Sequence, residues 1–161
     1  MDLQSIIVGS ILVGMFVVPI IFLQKKQSKK QLQDFLEIAG KNQVVVDMYD
    51  LWEPCFGIGL DSKNGKLLYT RKYDTKYKNV VIDLADVGTC SLYKTSRDVN
   101  GDKVIDTIGL QLTYRKDFKT PDTYLEFYNK EERLNLNDEL QLAEKWQQLI
   151  VALLAVPAKA V

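Results

Sequence analysis

Residues 96–106, SRDVNGDKVID, place three candidate metal ligands at alternate positions, Asp98, Asn100 and Asp102. Oxygen-bearing side chains at the first, third and fifth positions are what the first half of a calcium-binding loop supplies. Such a loop also needs a glycine at its sixth position, for a sharp turn, and a bidentate acid at its twelfth. The stretch is therefore a candidate calcium site, and the residues at its sixth and twelfth positions determine whether it can bind the ion.

The two deciding positions do not fit. Counted from the first acid, the sixth position holds Lys103 and the twelfth holds Gly109, so the strongest anionic ligand is missing. Residues 105–114 also have the pattern of a strand, whereas a calcium loop of the EF-hand type lies between two helices. The pair Asn100 and Gly101 instead favours a type I′ turn. We therefore predict a polar hairpin here and no metal site.

Basic side chains alternate with tyrosines between residues 63 and 78. They are Lys63, Lys66, Arg71, Lys72, Lys76 and Lys78, with Tyr69, Tyr73 and Tyr77. Cations beside aromatic rings can bind single-stranded nucleic acid or a lipid headgroup, although a charged run is more often a solvated face. The chain has 21 basic and 21 acidic residues, so no net charge attracts nucleic acid. We expect no nucleic-acid partner and keep Lys66, Arg71 and Lys72 as candidates for surface or lipid contact.

The residue types available give little support to catalysis. The chain contains no histidine, which removes the commonest general base and the commonest metal ligand. Cys55 and Cys90 are far apart in sequence and indicate neither a zinc site nor a redox pair. We see no pairing of a nucleophile with a base and no glycine-rich phosphate loop. The prediction is a protein that is not an enzyme, with no catalytic residues, cofactor or metal.

An uncharged run at residues 6–23 predicts a membrane anchor. At 1.5 Å per residue it forms a helix of about 27 Å, close to the hydrocarbon thickness of a bilayer. A cleaved signal peptide is the alternative, but the preceding MDLQ carries an acid where a signal peptide carries positive charge. We therefore assign residues 1–24 to a transmembrane anchor that binds the lipid bilayer.

Four lysines that follow the apolar run set the expected topology. Lys25, Lys26, Lys29 and Lys30 lie on its carboxyl side, whereas Asp2 is the only charged side chain before it. The positive-inside rule then places the rest of the chain in the cytoplasm, below a single span of the inner, cytoplasmic membrane. The same lysines are candidates for contact with anionic headgroups, at about 1 kcal/mol each near the surface.

Residues 25–42 are predicted to be a basic linker that contains a short helix. Leu32, Phe35, Leu36 and Ala39 recur at helical spacing and would share one face. That face is expected to lie either on the following domain or on the bilayer.

Residues 43–156 are predicted to form one β-rich domain. Val44, Val46 and Met48 alternate with other residues and indicate a first strand. Further strand patterns are FGIGL, KLLYTRKY, VVIDL, VGTCSLYK, VIDTIGLQLTY and TYLEFY. About seven strands, mostly joined by short polar turns, predict antiparallel sheets with one buried face.

The domain ends in a predicted amphipathic helix, and residues 157–161 form a tail. The apolar stripe of this helix consists of Leu142, Trp146, Leu149, Ile150 and Leu153. Its apolar end is too short for a second span, so it is expected to pack on the sheets. Trp146 is accordingly predicted to be a core residue.

This order of elements resembles the pleckstrin-homology-like (PH-like) fold, in which two nearly orthogonal sheets are closed by a carboxyl-terminal helix. The resemblance covers residues 43–156 and rests on the SKNGKLLY hairpin, the VVIDLADVGTCSLY pair and the LAEKWQQLI helix. The chain looks like the membrane-tethered bacterial members of that superfold. Phosphoinositide-binding relatives have basic residues between the first two strands, where this chain has YDLWEPC, with Asp50 and Glu53.

The expected fold is therefore α+β and mainly β: a transmembrane helix followed by an antiparallel, roughly seven-stranded PH-like barrel or sandwich with a closing helix. The expected function is a single-pass, membrane-anchored, non-catalytic module that mediates protein or membrane-surface interaction in the cytoplasm. The alternative is an accessory subunit of a larger membrane complex, in which the anchor packs on other spans. The sequence leaves the protein partner and the oligomeric state open.

Overall fold

The computed structural model describes residues 28–53, 55–74, 76–115, 121–133 and 135–155. The predicted anchor at residues 1–24, the side chains of Lys25 and Lys26 and the predicted tail at 157–161 lie outside these residues. Within the described ranges, no helix is both long enough and apolar enough to cross a membrane.

The described residues form helices and strands in two sheets. The elements are α1 (28–41), β1 (Met48–Trp52), β2 (Phe56–Asp61), β3 (Lys66–Tyr73), β4 (Lys76–Asp83), β5 (Val87–Val99), β6 (Asp102–Tyr114), β7 (Thr123–Asn129) and α2 (Glu139–Ala155). Strands β1 to β4 form one sheet in sequence order, and β5 to β7 form the second. All neighbouring strands are antiparallel. The prediction of about seven antiparallel strands in an α+β, mainly β domain with a closing helix is confirmed.

Both Asn-Gly pairs lie in hairpin turns, as predicted. Asn100 and Gly101 join β5 to β6 with φ angles of 54° and 88°, the left-handed backbone of a type I′ turn. Gly65, with φ of 64°, ends the turn between β2 and β3. Residues 96–106 are thus the tip of a long hairpin and not a loop between two helices.

The main core lies between the sheets and under α2. Its aliphatic side chains alternate along the strands, as the period of two predicts. Trp146 of α2 is 1% exposed, which confirms its predicted place in the core. Its indole N–H donates to Oδ2 of Asp50 at 2.8 Å. Because a buried indole N–H needs an acceptor, this bond fixes α2 against β1.

Helix α1 packs on the outer face of the first sheet and forms a second, smaller core. Phe35 and Ala39 are each 2% exposed and pack with Val44 and with Leu68 of β3. Of the two positions predicted for this helix, on the domain or on the bilayer, the domain is the one that α1 occupies.

Two glycines of β2 make room for this helix. A Cβ added at Gly57 would lie 2.7 Å from Cδ2 of Phe35, and one added at Gly59 would lie 2.8 Å from its Cζ. Carbon atoms in contact are about 3.5–4.0 Å apart, so neither side chain would fit. The strand FGIGL therefore contains glycine at alternate positions because an aromatic ring lies directly on its backbone.

The prediction that Leu36 belongs to the buried face of α1 is wrong. Leu36 was expected beside Phe35 but is 45% exposed, and Ile38 packs against the small core instead. Consecutive helix residues are about 100° apart around the axis, so Leu36 turns away when Phe35 faces the sheet.

The first strand also begins later than the alternation predicts. Strand β1 starts at Met48, which is 42% exposed, and residues 44–47 are not part of a strand. The N–H of Val44 bonds to Ala39 at 3.0 Å, and that of Val45 bonds to Oδ2 of Asp61 at 3.0 Å. These bonds replace a strand ladder, since the chain must leave α1 before it can join β2.

Candidate functional site

The first turn of α1 lies at one end of the domain, beside the connection from β1 to β2. Gln31 Nε2 donates to the carbonyl oxygens of Glu53 at 2.5 Å and Phe56 at 3.1 Å. The N–H of Lys72 donates to the carbonyl of Cys55 in the same connection, at 2.7 Å. The start of α1 and the end of β3 therefore meet at this connection.

Strand β4 also contacts α1 at this end. The hydroxyl of Tyr77 donates to Oδ2 of Asp34 at 3.1 Å. Tyr77 is paired with Lys72 across the β3–β4 hairpin, and Nζ of Lys72 lies 5.6 Å from the centre of the tyrosine ring. Burial, followed by the bond to Asp34, raises the pKa of Tyr77, so the hydroxyl remains a donor at neutral pH. These contacts hold the hairpin and the helix together.

Four lysines are collected at this end of the domain. Lys29 and Lys30 are exposed at the start of α1, Lys72 is half-buried, and Lys76 is exposed at the start of β4. We call Lys29, Lys30, Lys72 and Lys76 the basic end. Within the part of the chain that the structure describes, none of the four forms an ion pair.

Some of the acids near the basic end are paired with arginines. Glu53 pairs with Arg133, which also pairs with Glu139 and donates to the carbonyl of Phe127 at 2.8 Å. Asp34 and Asp74 form no ion pair with any described residue. The cations that the end of the domain where α1 begins leaves without an ion pair are therefore its four lysines.

Lys66 and Arg71, the other candidates from the sequence, lie outside the basic end. Lys66 is the first residue of β3, seven positions before its end, and is paired with Asp61 at the opposite hairpin. Arg71 is 9% exposed. The pattern of basic residues from 63 to 78 therefore does not form one surface.

The guanidinium of Arg71 forms ion pairs and a ring contact with other side chains of the domain. Its Nη1 lies 2.6 Å from Oε1 of Glu126, an ion pair by distance although the angle is not that of a hydrogen bond. It also pairs with Glu132 and lies 4.4 Å from the ring centre of Tyr73. Burial would lower the pKa of Arg71, but the bond to Glu132 and the charges of both carboxylates outweigh it and raise the pKa.

The cysteines are poorly suited to nucleophilic chemistry. Burial raises the pKa of Cys55, and it raises the pKa of Cys90 to about 11. Thiols with raised pKa values are protonated at neutral pH and react slowly. In the described residues, no group of three or more Cys, Asp or Glu side chains is placed to hold a metal ion.

Of the residues that assemble this end, Tyr77 was considered in the sequence only as a ring among the cations of residues 63–78, and Gln31 was not considered. Gln31, Phe35 and Tyr77 join α1 to the sheet, and the sequence signal for this was the pair Gly57 and Gly59 in an otherwise apolar strand. Glycine inside a strand marks a close approach, but it does not identify what approaches.

Comparison of the chain with protein-family models, with curated proteins and with solved structures finds no match in any of the three.

Proposed function

We propose that this protein is a single-pass, membrane-anchored, non-catalytic module whose cytoplasmic domain lies against the membrane surface. The observation that carries the proposal is the docking of α1 on the first sheet, because α1 is the element that follows the predicted anchor. A domain tied to its linker by Phe35, Gln31 and Tyr77 keeps a fixed end towards the anchor. That end is the basic end.

The distance from the anchor to the domain is short. From Leu23, at the end of the apolar run, to Ser28, at the start of α1, the chain makes five steps between Cα atoms. At about 3.6 Å per step, even a fully extended chain covers only about 18 Å. A membrane span that ends at Leu23 therefore places the basic end close to the headgroups.

The charges of this end favour an anionic surface. Lys25 and Lys26 precede α1 in sequence, and Lys29, Lys30 and Lys72 lie on the domain. A basic residue near an anionic membrane surface contributes about 1 kcal/mol, and the contribution falls off within a Debye length. Lys66 and Arg71 are not part of the proposed contact, because one lies at the opposite hairpin and the other is buried in ion pairs.

The fold that we propose is PH-like. A four-stranded and a three-stranded antiparallel sheet, followed by a helix that packs on the core, support this proposal. Helix α1 on the outer face of the first sheet would be an addition to that fold. Fold class does not determine function, so the proposed role rests on the basic end and on its position after the anchor.

Photocrosslinking from two matched lysine positions tests the proposal. The photoreactive residue p-benzoylphenylalanine would replace Lys76, in the basic end, or Lys63, in the turn between β2 and β3. Both side chains are exposed and lie at opposite ends of the sheet. With the full chain in nanodiscs that contain phosphatidylglycerol, we expect lipid adducts from position 76 and few from position 63. Equal yields, or no adduct from position 76, would contradict the proposed orientation.

The alternative role, an accessory subunit of a membrane complex, has one observation in its favour. Leu36 of α1, the helix that follows the predicted anchor, is 45% exposed. Apolar side chains beside a membrane anchor can contact another protein of the membrane. Crosslinking in native membranes separates the two roles, since a subunit would give one stoichiometric protein adduct from position 36.

A further inference from the structure

The outer face of the second sheet contains an open depression lined by tyrosines and uncharged polar side chains. Its volume is about 500 Å³, and its lining residues are Tyr93, Thr95, Thr107, Gln111, Tyr124 and Glu126. We call it the tyrosine depression. Sites for small ligands have volumes of about 300–1,000 Å³ and combine aromatic surface with a few fixed polar groups. The tyrosine depression has both properties and is not part of the basic end.

Two tyrosine rings form the apolar part of this depression. Tyr93 is 47% exposed and Tyr124 is 38% exposed, and their ring centres are 5.5 Å apart at an angle of 83°. The ring of Tyr124 lies on the backbone of Gly109, where an added Cβ would come within 2.4 Å of it. Because Gly109 has no Cβ, there is room for the ring of Tyr124 against the backbone of β6. The two rings are thus held at right angles to each other.

The polar groups around the rings are already positioned by one another. The hydroxyls of Thr95 and Thr107 are 2.5 Å apart and form a hydrogen bond. Gln111 Nε2 donates to Oδ2 of Asp122 at 3.3 Å, which leaves its amide oxygen as an acceptor. Burial, with a smaller effect from Glu126, raises the pKa of Tyr124 to about 12, so its phenol stays protonated. The depression therefore presents neutral donors and acceptors.

The charge of the depression excludes several ligand classes. No lysine or arginine is among its lining residues, so the lining itself supplies no cation for a phosphate or another anion. Its one acid, Glu126, is paired with Arg71 at 2.6 Å, and Oε1 of that acid is shielded from solvent. A lining without net charge suits an uncharged ligand that has both hydroxyl groups and an apolar face.

We propose that the tyrosine depression is a binding site for a neutral saccharide. The C–H groups on one face of a sugar ring are weakly positive and pack against the negative face of an aromatic ring. The hydroxyl groups at its edge can exchange hydrogen bonds with Thr107, Gln111 and Tyr124. Sheet faces bind oligosaccharides in other β folds, so the geometry has a physical precedent.

Saturation-transfer difference NMR on the full chain tests this site. The protein would be kept in a phosphocholine detergent, which carries no sugar, and the probes would be cellobiose, maltose and N,N′-diacetylchitobiose. We expect a transfer signal for at least one of the three disaccharides. The variant Tyr93→Ala should weaken the binding of that probe about tenfold, which is the upper part of the range for one aromatic contact.

Matched variants distinguish binding at the tyrosine depression from a general effect of substitution on the protein. Tyr49→Ala removes a tyrosine of similar exposure, 45%, on the first sheet and should leave binding unchanged. Thr107→Val keeps the side-chain volume but removes a hydroxyl, and it should weaken binding even if Tyr93→Ala fails to fold. No signal from any disaccharide, or a signal that both depression variants retain, would overturn the proposal. A signal from trilysine in place of the sugars would assign the face to a basic peptide and would also overturn it.

Discussion

Replacement of Phe35 by alanine tests whether α1 is an integral part of the folded domain. Phe35 is 2% exposed, and its ring lies on the backbone of β2 at Gly57 and Gly59. A change from phenylalanine to alanine in a core costs about 3–5 kcal/mol. The core around Phe35 is small and near the surface, so α1 can detach instead of leaving a cavity. We therefore expect a loss of about 3 kcal/mol, at the lower end of that range.

A double-mutant cycle isolates the contact between helix and strand. Gly59→Ala places a Cβ 2.8 Å from Cζ of Phe35 and 3.0 Å from Cγ1 of Val46, and overpacking of this kind costs about 1–3 kcal/mol. In the Phe35→Ala background the closest of these clashes is gone. The double variant should therefore be more stable than additivity predicts, by at least about 1 kcal/mol.

Urea unfolding of the full chain in detergent micelles measures these energies. The two tryptophans of the chain, Trp52 and Trp146, both lie in the domain, so their fluorescence reports its unfolding. Gly40→Ala is the matched control, because a Cβ there meets nothing within 4 Å and alanine should stabilise α1 by about 0.4–1 kcal/mol. Additive effects of Phe35→Ala and Gly59→Ala, each below about 0.5 kcal/mol, would refute the docking of α1 on β2.

The same unfolding assay checks the remaining predictions. Trp146→Ala should cost about 3–5 kcal/mol, because it removes a buried indole, whereas Lys72→Ala should change stability by less than about 0.5 kcal/mol. The pKa of Asp61 is lowered, first by the side-chain bond from Asn64 and then by the backbone N–H of Val45. Because the pKa of Asp61 is lower in the folded state, the contribution of this carboxylate to stability is complete above its unfolded pKa of about 3.9. That contribution is lost as the pH falls through the folded pKa. The wild type should therefore lose stability between about pH 5 and pH 3 more steeply than Asp61→Asn does. Millimolar calcium should shift the midpoint of neither the wild type nor Asp98→Ala, and a shift lost in Asp98→Ala would contradict the hairpin interpretation.

The strands were predictable because their signals are local. Asn100 with Gly101 specifies a turn from two adjacent residues, and the alternation on either side specifies the strands that it joins. The stripe that contains Trp146 likewise specifies a helix within a few turns. Where residues close in sequence determine the backbone conformation, as in this turn and this helix, the predicted element is the one observed.

The predictions failed where distant residues decide the outcome. Arg71 was predicted to be one of several exposed cations on a solvated hairpin. In the structure it is paired with Glu126 and Glu132, which follow 55 and 61 residues later in sequence. The late start of β1 has the same origin, because Val45 bonds to the side chain of Asp61 before it could join a ladder. Sequence spacing contains no information on such partners.

Around the basic end, the two kinds of cation have different surroundings. Arg71 and Arg133 are both buried or nearly so and are each paired with two carboxylates. The planar guanidinium suits this role, since it forms several directed hydrogen bonds at once and stays charged when buried. Glu53 and Glu132, two acids near the basic end, are thereby paired with arginines, although the side chain of Glu132 is half exposed. The lysines, which are more strongly hydrated, remain at the surface.

Replacement of both Arg71 and Arg133 by lysine would keep the formal charge of the chain but weaken their ion pairs with the carboxylates. The freed carboxylates could then compete for the basic end, so the proposed lipid crosslinking from position 76 should fall although the net charge of the chain is unchanged.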